Sequence, residues 1–120
     1  KKFLSKYNHY FDLPIQDKFV KTCWLAFPLI IKKNNFFNRN DLQVYLEKNQ
    51  IQTRVIFSGN ILKQPLMRNK IYTKIKNCDI ESNHVMQNGI LIGCHHGLTL
   101  KDLEYITNTF KKFLKSKKIN

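Results

Sequence analysis

Apolar residues recur along this chain with two different periods, and the longest regular stretch lies near its C-terminal end. Leu100, Leu103, Ile106, Phe110, Phe113 and Leu114 follow one another at spacings of three and four, which puts them on one side of a helix. Thr99 with Asp102 supplies the capping box that starts it. A continuous stripe of this kind reads as a core face, and the lysine-rich end from Lys115 to Asn120 reads as a frayed tail. A second helix is predicted from Asn38, whose side chain can cap while Asp41 stands at the third position. Leu42, Tyr45 and Leu46 form its buried face, and it ends near Asn49. A shorter helix is expected from Asp79 to Gln87, closed by Asn88-Gly89 with the glycine in the left-handed C-terminal position. Lys1 to Tyr10, with Phe3, Leu4 and Tyr7 on one side, reads as the tail of a helix that Asp12-Leu13-Pro14 breaks.

Between these helices the pattern turns to strands. Thr22 to Lys32 is rich in Trp24, Phe27, Ile30 and Ile31 and carries no helical charge pattern. Pro28 cannot donate to a ladder, so this strand is expected at an edge or with a break there, and Asn34-Asn35 turns the chain. Thr53-Arg54-Val55-Ile56-Phe57 is a second strand, ending in the small-residue turn Ser58-Gly59-Asn60. Ile90-Leu91-Ile92 is apolar throughout and is expected in the middle of a sheet. Ile61 to Lys76 is irregular, broken by Pro65 and basic through Lys63, Arg68, Lys70, Lys74 and Lys76; it is expected to be a loop with a helical turn. Strands alternating with amphipathic helices point to an α+β domain, with helices packed on one face of a small sheet.

Composition narrows the class. At 120 residues, with 42% hydrophobic content and nine Phe, the chain makes one folded domain. Its longest apolar segment, Trp24 to Ile31, is too short to span a bilayer, and no signal-peptide pattern stands at the N-terminus. It opens at Lys1 rather than at methionine and reads as a fragment of something longer. Cys23, Cys78 and Cys94 are odd in number and widely spaced, which excludes a disulfide framework and a zinc knuckle. They read as small buried hydrophobes in a reducing cytoplasm. The formal charge of +13 invites nucleic acid or an acidic partner. Against that, the lysines are spread, arginines are few and no aromatic-basic motif appears, so a solvated surface is favoured over a stand-alone basic binding domain.

Candidate chemistry gathers in two stretches. Arg54 is the only arginine between Arg39 and Arg68, and its planar fork suits a carboxylate or phosphate in a way lysine does not. On pattern alone it could equally be a solvated strand residue. The second stretch is Gly93-Cys94-His95-His96-Gly97, between a buried strand and a helix. Adjacent residues on extended backbone point to opposite sides, and His9 and His84 stand apart, so no metal is expected. Either histidine could transfer protons. No nucleophile–base pair, phosphate-cradling glycine loop or catalytic carboxylate pair can be found.

The segments CWLAFPLIIKK, NRNDLQVYLEKNQI, TRVIFSGNILKQP and ESNHVMQNGILIGCHHGLTLKDLEYI, in that order, resemble the DegT/DnrJ/EryC1/StrS family of sugar-modifying enzymes that use pyridoxal phosphate (PLP). The likeness covers about Leu25 to Phe113 and is nearest to the RfbH/ColD-like nucleotide-sugar 3-dehydrases of lipopolysaccharide biosynthesis. It implies the small C-terminal domain of the aspartate-aminotransferase fold, with a mostly antiparallel sheet. Residues 1–14 would then be the end of a linking helix from a missing N-terminal large domain, and residues 15–120 the small domain. The resemblance implies PLP or pyridoxamine phosphate (PMP) in the intact enzyme and none on this part alone, which is expected inactive. It further implies a nucleotide-sugar substrate, a homodimer, a reductase partner and a cytoplasmic location. Arg54, Ser58, Asn60 and Gln64 would face the substrate cleft, with His95 and His96 at its rim. One departure concerns the turn at Cys94-His95-His96, where relatives often carry an aromatic or proline-containing version. A nucleotide-sugar aminotransferase is the alternative within the family.

Overall fold

The computed structural model describes residues 2–73, 75–77 and 79–119. Its frame is a four-stranded antiparallel sheet in the order β1-β2-β4-β3, built from β1 (Phe11–Asp12), β2 (Ala26–Ile31), β3 (Thr53–Val55) and β4 (Gly89–Gly93). Three helices accompany it: α1 (Arg39–Lys48), α2 (Ile80–Asn88) and α3 (Leu100–Ser116). Register decides which side chains meet. Phe11 lies opposite Ile31, Leu29 opposite Ile90, and Phe27 and Thr53 flank Ile92 from either side. These residues share one sheet face, and α1 and α3 cover it. Leu42 and Leu46 of α1 and Phe110, Phe113 and Leu114 of α3 complete the core with Leu29, Ile31, Ile90 and Ile92. The two helices also hold each other: the Tyr45 and Phe113 rings stand 5.2 Å apart, and the Tyr105 hydroxyl donates to the Asn49 carbonyl at 3.0 Å. The architecture is therefore α+β, as the alternation of periods predicts, with β4 in the interior of the sheet.

Both predicted capping boxes are present. Asn38 and Asp41 exchange bonds at the start of α1, and Thr99 and Asp102 do so at the start of α3. The helix tail expected over residues 1–10 is a single 3-10 turn, Leu4–Tyr7, after which Phe11–Asp12 joins the sheet. Phe11 is 1% exposed, and its burial against Phe37 and Phe110 favours the extended form. The strand expected from Thr22 spans Ala26–Ile31. Pro28 is not on an edge strand, because β2 lies between β1 and β4. It is tolerated because β1 pairs only with Ile30 and Ile31, so at Pro28 the strand has β4 as its one sheet neighbour. The strand expected to reach Phe57 stops at Val55, since Phe57 takes φ 46 and leaves the extended region.

Gly89 does not take the left-handed position; its φ of −87 is extended. Glycine is required there by space instead, because a Cβ would stand 2.5 Å from Cδ1 of Ile56 and 2.6 Å from the Val85 carbonyl. The stripe on α3 is core only in its second half: Leu100 is 81% and Leu103 48% exposed, whereas Phe110, Phe113 and Leu114 are buried. The tail is docked as far as Ile119 rather than frayed from Lys115. Lys118 takes φ 59, the Ile119 N–H returns to the Leu114 carbonyl, and Ile119 is buried. Cys23 is exposed and Cys94 half-buried, against the expectation of buried hydrophobes, and Cys78 lies outside the described residues.

Candidate functional site

Where β4 leaves the sheet and α3 begins, two clefts open. The larger, about 1010 Å³, is an apolar groove walled by Phe3, Tyr7, Trp24, Phe27, Leu103 and Phe110, with Lys2, Lys6 and Lys111 at its rim. The smaller, about 520 Å³, is lined largely by apolar residues, with polar ones among them. Arg54 enters it from β3, His95 from the turn after β4, Asp102 and Tyr105 from the first turns of α3, and Gln50 and Gln52 from the link between α1 and β3. Local structure accounts for each placement. Gln50 takes φ 58, with its N–H bonded to the Glu47 carbonyl and the Ile51 N–H to the Leu46 carbonyl, a Schellman closure that swings the chain from α1 into β3. Arg54 pairs in register with Leu91, opposite in face to Thr53, so its side chain leaves the core side of an edge strand.

Two carboxylates control the electrostatics. Glu47 accepts the Thr53 N–H at 2.6 Å and the Thr53 hydroxyl at 2.7 Å. The hydroxyl chiefly, then the N–H, hold its carboxyl below the ordinary value, and the charge of Arg54 adds to the effect. Asp102 accepts the Thr99 hydroxyl at 2.7 Å and the Thr99 N–H at 2.8 Å. Those bonds, the hydroxyl first, lower its carboxyl, and His95 contributes a smaller share. The His95 ring is oriented by its own turn: Nδ1 accepts the Gly97 N–H at 3.2 Å, so the neutral ring carries its proton on Nε2. Among the described residues no ion pair reaches Arg54.

The residues singled out in the sequence fall into two groups. Arg54 and His95 line one cleft; His96 lies beside His95, with ring centroids 6.4 Å apart, and does not line it. Ser58, Asn60 and Gln64 belong to a separate loop, tied within itself and to α2. The Gln64 amide donates to the Ser58 carbonyl at 2.6 Å, and Ser58 is exposed. Asn60 is 2% exposed; its Oδ1 accepts the Leu62 N–H at 3.0 Å and its Nδ2 donates to Asn83 at 2.9 Å. Asp102, Tyr105, Gln50 and Gln52 escaped the sequence reading as cleft residues. Asp102 was legible as a cap, but no local signal says that the first turns of α3 lie beside the link from α1 into β3. Among the described residues no group of three His, Cys, Asp or Glu could hold a metal ion.

With this geometry in hand, similarity to known proteins is informative. The family model of the DegT/DnrJ/EryC1/StrS aminotransferases matches residues 2–111. The lipopolysaccharide biosynthesis protein RfbH of Salmonella typhimurium is 28% identical over 113 residues, which are 94% of this chain and 26% of RfbH. GDP-4-keto-6-deoxy-D-mannose 3-dehydratase of Escherichia coli is 28% identical over 110 residues, 91% of this chain and 28% of that protein. A solved structure of the Escherichia coli 3-dehydratase with bound hydrated PLP superposes with a TM-score of 0.72 at 28% identity, covering 89% of this chain and 28% of that one. The chain thus spans about a quarter of the length of the curated relatives it matches.

Proposed function

This chain belongs to the DegT/DnrJ/EryC1/StrS aminotransferase family, and from that premise we propose that it is the C-terminal domain of a PLP- or PMP-dependent nucleotide-sugar 3-dehydratase of lipopolysaccharide or O-antigen deoxysugar biosynthesis. The observation that carries the reading is the match, over nine-tenths of this chain, to a 3-dehydratase in both sequence and fold. On this reading the intact protein is a cytoplasmic homodimer with a large N-terminal domain, acting on a 4-keto nucleotide sugar alongside a reductase. No helix among the described residues is long and apolar enough to cross a membrane.

The cleft does not make a cofactor site by itself. Arg54 and His95 offer donors to an anionic group, but Asp102, the carboxylate lining the cleft, is already committed to Thr99. A group that grips a pyridine ring and its phosphate needs more partners than these, so no step of the reaction is routed through this domain. Its contribution is to bind and orient substrate: Arg54 as a planar fork and His95 as a rim donor. Ser58 and Gln64 shape the neighbouring loop, and Asn60 acts through the fold of that loop, its amide being spent on Leu62 and on Asn83 of α2.

The family's own description favours an aminotransferase as the second reading. Both are tested on the intact enzyme, expressed with its upstream reading frame and supplied with a nucleotide-linked 4-keto-6-deoxy sugar, PMP and an amino donor. Loss of the 3-hydroxyl in the product supports the dehydratase; an amino sugar supports the alternative. Arg54→Ala in that enzyme should lower kcat/KM by about 10- to 100-fold, the loss of a charge-assisted hydrogen bond. An unchanged kcat/KM would remove Arg54 from the substrate site.

A further inference from the structure

The strand that carries Arg54 is short. β3 has three residues and, as an edge strand, pairs with β4 alone. A ladder of that length specifies its own register poorly, and a slip of one residue exchanges the two faces of a strand. In the observed register Thr53 stands opposite Ile92 on the core side and is 2% exposed. Arg54 stands opposite Leu91, is exposed and lines the small cleft. A slip of one residue would turn Arg54 to the core side and take its fork out of the cleft.

The register is held from behind the strand. Glu47 lies in the last turn of α1, and its side chain reaches past the reversal at Gln50. A single oxygen, Oε1, accepts both the Thr53 N–H at 2.6 Å and the Thr53 hydroxyl at 2.7 Å. These are short, charge-assisted bonds, and they satisfy the polar groups of a buried residue. Glu47 makes no ion pair with Arg54 among the described residues, so its hold on Arg54 runs through the backbone at Thr53. We propose that Glu47 is a positioning residue for substrate binding: it pins Thr53, and so fixes the register in which Arg54 faces the cleft. The role of Arg54 rests on the substrate-binding reading above; the pin rests on the two hydrogen bonds. Reach decides more than charge in such a device. Glutamine presents a carbonyl oxygen at the same distance from the backbone, whereas aspartate keeps the charge but is one methylene short.

The test is kinetic and uses the intact enzyme, with the 4-keto-6-deoxy nucleotide sugar that the unaltered enzyme turns over. Each variant is assayed at a temperature where its circular dichroism matches that of the unaltered enzyme. Glu47→Ala should raise KM about 10-fold and leave kcat within about twofold, since a displaced Arg54 weakens binding without touching the reacting atoms. A merely structural role would lower kcat with the fraction of active enzyme and leave KM alone. Glu47→Gln should bring KM back to within about twofold of the unaltered value, and Glu47→Asp should not. In an Arg54→Ala background Glu47→Ala should add nothing, because the group it positions is gone. Should Glu47→Ala fail to fold, Thr53→Val replaces it; this deletes the hydroxyl bond, keeps the N–H one, and should raise KM by less. An unchanged KM, or a KM effect that persists undiminished without Arg54, would overturn the pin. Rescue by aspartate in place of glutamine would overturn it too, by making charge the agent. The two readings fail separately. A fall of kcat/KM in Arg54→Ala beside a normal KM in Glu47→Ala removes the pin and keeps Arg54 at the substrate. An unchanged Arg54→Ala removes the role of Arg54, and the pin with it.

Discussion

Asn60 uses its side-chain amide at both ends, and the cost of losing it can be stated. One end caps the 3-10 turn Ile61–Lys63 through the Leu62 N–H; the other ties that turn to Asn83 of α2. Asn60→Ala leaves two half-buried partners unsatisfied and should destabilise the fold by about 2 kcal/mol in urea denaturation. Glu47 makes a second prediction at this scale. Its carboxyl is held below the ordinary 4.5 by the Thr53 hydroxyl and N–H, so the ionised form is favoured in the folded state. That contribution is complete above the unfolded value and is lost as pH falls through the lower, folded value. Glu47→Gln should therefore be less stable than the unaltered chain at neutral pH, and the gap should close as pH drops below about 4.5, followed by urea midpoints across the acid range. Asn60 and Glu47 carried no distinguishing mark as structural residues in the sequence. Their partners lie 23 and 6 residues away, and only the fold brings them within bonding distance.

At the scale of elements, α1 and α3 begin and end by the same two devices. Each starts with a capping box, legible because its residues are local. Each ends in a Schellman closure whose left-handed residue is not glycine: Gln50 after α1 and Lys118 after α3. That conformation brings Cβ against the following carbonyl oxygen. Gln50→Gly and Lys118→Gly should each stabilise the chain by about 0.5–1 kcal/mol, measured as an upward shift of the urea midpoint at constant m. The absence of glycine is why the docking of Ile119 could not be foreseen. Ile119 turns back into the core behind a run of lysines that otherwise reads as a solvated tail.

The whole molecule carries 21 basic residues against 8 acidic ones, and among its described residues only two ion pairs form, Lys32 with Asp12 and Lys117 with Asp41. Such a surface repels itself, and screening should relieve it. Raising salt from about 0.01 M to 0.1 M shortens the Debye length from about 30 to 10 Å. A relief of about 1 kcal/mol would raise Tm by about 4 °C for a chain of this size. Calorimetry in chloride at the two strengths checks it, and a Tm that stays flat or falls would mean that the lysines lie too far apart to interact.

The sequence by itself determined the periods. Amphipathic spacing placed α1 and α3, and the boundary at Asn88-Gly89 placed α2, each to within a residue or two; the two capping boxes set the starts of α1 and α3, and an all-apolar run marked β4 as an inner strand. These are local properties, set by which residues stand within four positions of each other. Tertiary structure alone decided that Phe11 would leave a helical turn to pair with Ile31, and that Pro28 could sit in an inner strand beyond the reach of β1. It decided too that only half of the α3 stripe would be core. Above all it decided the cleft. Arg54 and His95 stand 41 positions apart in the sequence, and it is the antiparallel pairing of β3 with β4, with α3 starting just beyond, that brings both to the lining of one cleft.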